Sequence, residues 1–335
     1  MKSGRVDIMR AVVLRSHGGP EVLGFEEIPI PQPGAEEILV RVRATCLNRA
    51  DLLQRMGFYP NPFPGEYDVP GMEFAGTVVG AGDRVRQWRT GDQVMGIVSG
   101  GGYAEQLVVH ERQVMRVPVQ VGLADSSAIP EVFITAWDAL VVQGGLTSGR
   151  WALVHAGASG VGTAAIQICK SIGARVIVTC SAGKVAACRN LGADAVVDYV
   201  ADDFVAMTKE CTHGRGVDVI LDVIGGEYLD RNVSALALKG RIMQVGVMGG
   251  GSMQFNLAAL MPKRASLIAT VLRARPLEEK IAITQRFINE ILPLFESGVL
   301  HPVIDRRFVF ADIADAHKYM QGNTNIGKII IDIGA

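Results

Sequence analysis

The stretch over residues 151–184, WALVHAGASGVGTAAIQICKSIGARVIVTCSAGK, most constrains what this chain can fold into. It opens with an apolar run over 151–155, the length of a strand buried on both faces. A glycine-rich turn follows, Gly157-Ala158-Ser159-Gly160-Val161-Gly162. Ala164, Ala165, Ile168, Cys169 and Ile172 then recur at helical spacing, and a second apolar run starts at Arg175-Val176-Ile177-Val178-Thr179. The pattern is a βαβ unit with glycines at its first turn, which lets a pyrophosphate approach backbone N–H groups at a helix N-terminus. A glycine fingerprint needs this strand-before, helix-after context to mean nucleotide binding. Ser159 holds the middle fingerprint position in place of glycine. Its Cβ keeps the backbone farther from a phosphate, and its hydroxyl offers a hydrogen bond.

The end of the second strand bears on which nucleotide is bound. NAD-binding proteins place an Asp or Glu about 20 residues after the fingerprint begins, to hold the ribose 2′-OH. Here the chain reads Thr179-Cys180-Ser181-Ala182-Gly183-Lys184, with no carboxylate. A hydroxyl and an ammonium suit a 2′-phosphate, which an acid would repel. Ser181 can also cap the next helix and Lys184 can be a solvated surface charge, and both readings hold together. NADPH is the expected cofactor.

At 335 residues the chain exceeds most single cores, so two domains are expected. With 49% hydrophobic and 20% charged residues it is an ordinary globular composition. A net charge of −1 without a long basic run gives nucleic acid no support. No apolar stretch reaches the ~18 residues of a membrane span. Residues 1–8, MKSGRVDI, lack the apolar core of a signal peptide and read as a short leader before the first strand. Five scattered cysteines form no disulfide pattern, so a reduced, cytoplasmic setting is expected.

Residues 9 to about 130 are strand-like and broken by Gly and Pro, which predicts a compact, partly open β-barrel with little helix. Strands are expected over 11–14, 37–47 and 103–110. From Glu131 the texture changes: a helix over 132–143 leads into the βαβ unit. Strands at 195–198, 217–222, 240–246 and 267–271 then alternate with helices from Asp202 and Glu227. Such alternation predicts a doubly wound parallel sheet with ligand at the carboxyl ends of its strands. After Pro276 comes a long amphipathic helix, and strands at 308–310 and 328–333 could return to the first domain. The fold class is therefore α/β, with residues 1–131 and 273–335 as one domain and 132–272 as an inserted nucleotide-binding domain. The active site is expected in a cleft between them.

Taken together, GGPEVL (18–23), LNRADLLQRMGFYP (47–60), PGMEFAGTV (70–78), GGYAEQ (101–106), TAW (135–137), HAGASGVG (155–162) and NIGKIII (325–331) resemble the medium-chain dehydrogenase/reductase superfamily. Within it the chain is similar to the zinc-less quinone oxidoreductases, closer to the stress-inducible quinone reductase branch than to zeta-crystallin. The likeness covers essentially the whole chain from Met9. It implies a GroES-like catalytic domain beside a Rossmann NADP-binding domain. Zinc alcohol dehydrogenases carry a Cys-His-x-Asp stretch and a Gly-His-Glu where this chain has Asn48-Arg49-Ala50-Asp51 and Gly71-Met72-Glu73. Asn and Met replace a thiolate and an imidazole, poor substitutes for zinc, so no metal is expected.

The resemblance further implies that Asn48 and Tyr59 face the nicotinamide and the substrate, and these are the catalytic candidates. Asn48 would hydrogen-bond a substrate carbonyl, or else only satisfy loop backbone. Tyr59 would orient a quinone or close the pocket, or else only anchor its loop. Cofactor contacts are expected from Asn48, Thr135, Gly157, Ser159, Gly160, Val161, Gly162, Ser181, Lys184, Tyr199, Gly246, Met248, Leu272, Asn325 and Lys328. Tyr199 is read against the 2′-phosphate, Gly246 and Met248 against the ribose, and Leu272 and Asn325 near the nicotinamide. Lys328 is read as approaching the phosphates or as capping a strand. Asp51 and Glu73 are read as holding loops, and His155 as a core or turn residue.

The implied activity is NADPH-dependent reduction of a quinone without zinc. Reduction of an alkenal or enone double bond is the alternative, and a low-turnover NADPH-binding redox sensor is another. The partners expected are a small quinone or enone substrate, with no nucleic acid and no membrane. A second copy of the chain is expected to form a homodimer through a sheet edge at 241–255. Replacing Lys184 by Ala should weaken NADPH by roughly tenfold or more while leaving NADH nearly unchanged, measured by fluorescence titration. An equal loss for both would remove the phosphate-clamp reading.

Overall fold

The protein is described by a computed structural model covering residues 7–63 and 65–334. Most of the leader read at 1–8 lies outside the described residues. The chain divides into two compact units: one runs to Glu131 and resumes at Arg273, and the other is Val132–Leu272.

The first unit begins with an antiparallel pair, β1 (Ile8–Leu14) and β2 (Leu23–Pro29). β3 (Glu37–Cys46) alternates as its sequence dictates, with Ile38, Val40 and Val42 all turned into the core. α1 (Arg49–Arg55) follows at once. β4 (Glu73–Ala81), β5 (Gln93–Ile97), β6 (Gln106–His110) and β7 (Val114–Arg116) complete the first pass. Its sheet is closed by elements from the far end of the chain, described below.

α2 (Pro130–Trp137) leads into the second unit, and Asp138–Gln143 continues it as a π-helix rather than as the regular helix expected through residue 143. Then come β8 (Trp151–Val154), α3 (Gly160–Ser171), β9 (Arg175–Cys180), α4 (Val185–Asn190), β10 (Ala195–Asp198), α5 (Phe204–Cys211), β11 (Val217–Asp222), α6 (Tyr228–Ala235), β12 (Leu236–Gln244) and β13 (Ser266–Ala269). The strands pair in parallel in the order β10-β9-β8-β11-β12-β13. This is the doubly wound order, which reverses between β8 and β11.

The remaining elements return to the first unit: α7 (Leu277–Glu290), α8 (Leu292–Glu296), β14 (Ile304–Val309), α9 (Ile313–Gln321) and β15 (Lys328–Asp332). The first unit's large sheet has the order β14-β15-β3-β4-β5-β7, with β6 also on β3. Its core gathers Val12, Ile38, Phe74, Val94, Tyr103 and Ile331, residues drawn from both ends of the sequence.

Three points differ from the sequence reading. α1 and α9 are helices that the sequence reading did not name, α1 being a short one inside the stretch expected to hold little helix. The segment 242–244 is not a sheet edge, because β12 pairs with β11 on one side and β13 on the other. Ile242 and Met243 are apolar because they are fully buried inside the sheet. The edge strand on that side of the sheet is β13. Finally, β12 ends at Gln244, so Gly246 lies just beyond the strand rather than in it.

Candidate active site

Three strand ends of the first unit converge on one buried point. β15 lies antiparallel to β3 with Ile330 opposite Cys46, so the register brings Lys328 toward Asn48, just past the end of β3. β4 lies antiparallel to the other side of β3, and the Thr45 hydroxyl donates to the Glu73 carbonyl at 2.6 Å. Lys328 donates to the Leu47 carbonyl at 3.0 Å, to Asn48 Oδ1 at 2.5 Å and to Glu73 Oε1 at 2.7 Å. Asn48 Nδ2 donates to the same Glu73 oxygen at 2.9 Å. The other Glu73 oxygen accepts the Glu131 N–H at 2.8 Å. The side chains of Lys328 and Glu73 are 3% and 0% exposed, so this ion pair is dry. Burial is the largest influence and opposes the Lys328 charge, but Glu73, with Cys46 and Glu131 adding to it, raises the ammonium above the ordinary lysine value.

These contacts correct one expectation. An ammonium has three N–H donors, and those of Lys328 are all engaged inside the first unit, leaving none for a phosphate. Its place is to hold Asn48. With Oδ1 taken by Lys328 and Nδ2 by Glu73, the carboxamide has a single orientation. Its second N–H has only a long 3.5 Å contact to the Cys46 carbonyl.

Asn48 also begins α1. Its N–H donates to Asp51 Oδ2 at 2.7 Å, an acid at the third helical position reaching back to the cap. Asp51 is fully buried, and burial pushes its carboxyl up to about 6 despite the Asn48 N–H. Asp51 and Glu73 thus hold local structure, as read from the sequence.

Tyr59 is half-buried, and its ring lies beneath the Arg273 guanidinium at 5.2 Å. Arg273, buried at 4% exposure, donates to the carbonyls of Tyr59 and Ser99 and to Gln54 Oε1. Arg273 is a positioning residue that sequence reading did not name, and Lys328 is one that it read in another role. A charged residue inside an apolar or glycine-rich stretch was their only signal. Asn325 is buried, and its Nδ2 donates to the Gly327 carbonyl.

In the second unit the predicted cofactor residues follow the carboxyl ends of neighbouring strands. Gly157, Ser159, Gly160, Val161 and Gly162 follow β8, Ser181 and Lys184 follow β9, Tyr199 follows β10, and Gly246 and Met248 follow β12. The glycines are there for space. A Cβ on Gly157 would sit 2.6 Å from Val178 Cβ, and one on Gly162 would sit 2.3 Å from the Ala156 carbonyl oxygen. Ala156 itself takes the left-handed conformation at φ 55°, which sharpens the turn. Ser159 is the N-cap of α3, its Oγ accepting the Gly162 N–H at 3.0 Å. The other first-turn N–H groups, those of Gly160 and Val161 among them, have no intrahelical acceptor. The cradle therefore fits a diphosphate.

Tyr199 is 48% exposed beyond β10, and Met248 is 48% exposed beyond β12. Thr135 is buried within α2, and Leu272 is half-buried at the end of the unit. His155 is fully buried between Thr179 Oγ1 and Asn232 Oδ1, and burial lowers its pKa. It is a core residue. Among the described residues no group of three or more His, Cys, Asp or Glu side chains is disposed to hold a metal ion. No helix among them is long and apolar enough to cross a membrane.

A parallel sheet of this order with a glycine turn after its first strand is a dinucleotide-binding architecture. Comparison with known proteins sharpens that class. Residues 34–119 match the alcohol dehydrogenase GroES-like domain, and residues 160–288 match the zinc-binding dehydrogenase family. The chain is 31% identical to the rat synaptic vesicle membrane protein VAT-1 homolog, over 96% of this chain and 84% of that one. It is 35% identical to the chloroplast envelope quinone oxidoreductase homolog of Arabidopsis thaliana, over 60% of this chain and 64% of that one. The crystal structure of a quinone oxidoreductase from Pseudomonas syringae superposes with a TM-score of 0.88 at 27% identity, covering 97% of this chain and 100% of that one. The chain belongs to the medium-chain dehydrogenase/reductase family, and quinone oxidoreductases are among the proteins it resembles. Its first unit is the GroES-like domain and its second the Rossmann domain, and the family implies a nicotinamide cofactor.

Replacing Lys328 by Met leaves the Glu73 carboxylate buried without a partner and should destabilise the fold by about 3–5 kcal/mol. Pairing that change with Glu73→Gln should restore most of the loss, read as the midpoint of urea unfolding. Equal midpoints for Lys328→Met and wild type would show that the pair is not buried in solution.

Proposed function

We propose that this oxidoreductase is an NADPH-dependent quinone reductase that works without zinc. The observation behind the reading is the Asn48 carboxamide, fixed by Lys328 and Glu73 at a position where a zinc dehydrogenase has a thiolate ligand. An amide and an ammonium are the wrong donor set for Zn²⁺. They suit a substrate whose carbonyl needs only a hydrogen bond.

A bound NADPH would supply the hydride. The chain would hold its diphosphate at the turn of Gly157, Ser159, Gly160, Val161 and Gly162. Ser181, Lys184 and Tyr199 would take the 2′-phosphate, Gly246 and Met248 the ribose, and Thr135, Leu272 and Asn325 the nicotinamide end. Asn48 would present its second N–H to a substrate carbonyl, and Tyr59, held by Arg273, would orient or cover the ring. A quinone suits such a site because its conjugated carbonyls accept a hydride and the product is protonated by water, so no protein acid is required. A conjugated enone offers similar chemistry and is the second substrate to test.

Steady-state NADPH oxidation with 1,4-benzoquinone, an ortho-quinone and 2-nonenal, side by side, tests the reading. Quinone turnover well above that with the alkenal is expected. Turnover with the alkenal alone would assign the protein to double-bond reduction, and NADPH binding with neither reaction would favour a redox sensor.

We propose in addition that two copies pair through β13, an edge strand of the Rossmann sheet, where Leu267 and, just past the strand, Val271 are 42% and 49% exposed. Light scattering at micromolar concentration should give twice the chain mass, and a monomeric mass would exclude the pairing.

A further inference from the structure

The first unit contains a cavity of ≈ 470 Å³ that uses none of the residues assigned above to cofactor or substrate. Its volume lies within the roughly 300–1,000 Å³ usual for small-molecule sites. Met9 of β1, Ile28 of β2, Val69, Val98 and Leu277 of α7 give it apolar walls. Phe63 and Lys280 line it as well.

Lys280 is the unusual feature. It lies in the first turns of α7, is only 8% exposed, and places its ammonium over the Phe63 ring at 5.0 Å. It donates to Ser99 Oγ at 2.9 Å, while the Ser99 hydroxyl donates onward to the Arg273 carbonyl at 3.0 Å. Among the described residues no carboxylate pairs with it. Burial lowers its pKa, with no neighbouring charge acting on it. The contrast with Lys328 is direct, since that more deeply buried ammonium faces Glu73. Two acids line the cavity, Glu37 and Glu66, but Glu37 is turned onto the Gly34 N–H at 2.8 Å and neither forms an ion pair with Lys280.

A buried ammonium without a counter-charge is costly, and a thioether of similar length would pack there without that cost. An anion would complete it. The apolar walls beside the cation define the rest of the ligand. We infer that this cavity binds a monocarboxylate with an apolar body, its carboxylate on Lys280 and its chain along Met9, Ile28, Val98 and Leu277. The Ser99 contact fixes the ammonium, and two of its three N–H donors remain for the carboxylate. This site does not depend on the reaction proposed above.

Calorimetric titration of the whole protein with octanoate and with 1-octanol tests the inference, the two probes sharing a body and differing in charge. Octanoate should bind saturably at one site and roughly tenfold or more tighter than octanol. Lys280→Met should abolish that preference, and Lys280→Arg should keep it. Leu277→Glu, at a 42% exposed wall position that tolerates a charge, should also abolish octanoate binding while leaving Lys280 in place. Equal binding of the two probes to the wild type would overturn the inference. So would octanoate affinity unchanged in a Lys280→Met or Leu277→Glu protein that melts like wild type.

Discussion

The Lys328 ammonium, buried against the Glu73 carboxylate, ties three strand ends of the GroES-like domain to one point. Such a pair does not have to add net stability, because removing two charges from water offsets much of their attraction. What it imposes is geometry. Each charge is tolerated only while the other is in place, so β15, the end of β3 and the start of β4 must meet in one register. Asn48 is caught between them and takes a single amide orientation. The final strand of the sequence thereby fixes a side chain that lies 280 residues earlier.

The Rossmann domain depends on a different constraint, one of space. At Gly157 and Gly162 a methyl group would collide with Val178 and with the Ala156 carbonyl, so the turn closes tightly enough to aim the first N–H groups of α3 outward. Ser159 stands where the fingerprint has glycine and is tolerated because its oxygen caps the helix. The parallel order of the sheet then sets Tyr199, Ser181, the glycine turn and Gly246 after the ends of β10, β9, β8 and β12, all on the carboxyl side of one domain's sheet.

Local signals made much of this legible. The βαβ unit, the alternation of β3 and the strand–helix alternation after Glu131 each depend on contiguous residues, and each is found. α1 was encoded locally too, in Asn48 and the acid three residues on, yet those residues drew attention as a catalytic motif rather than as a helix start. Periodicity alone misjudged residues 242–248. An apolar strand reads the same at an edge as in the middle of a sheet, and only the pairing of β12 with both neighbours distinguishes them. The roles of Lys328, Arg273 and Lys280 escaped for a related reason. Whether a cation is solvated, paired or buried alone depends on which distant chain segments surround it.

The sequence by itself determined the two kinds of domain, the nucleotide-binding turn and the family. Those follow from short-range patterns of glycine, apolar spacing and motif that need no partner segment to be read. Tertiary structure alone decided that Lys328 serves Asn48 rather than a phosphate, that Arg273 supports Tyr59, and that Lys280 stands unpaired beside an apolar cavity. A charge acquires its role from what faces it, and these faces are assembled from segments tens to hundreds of residues apart.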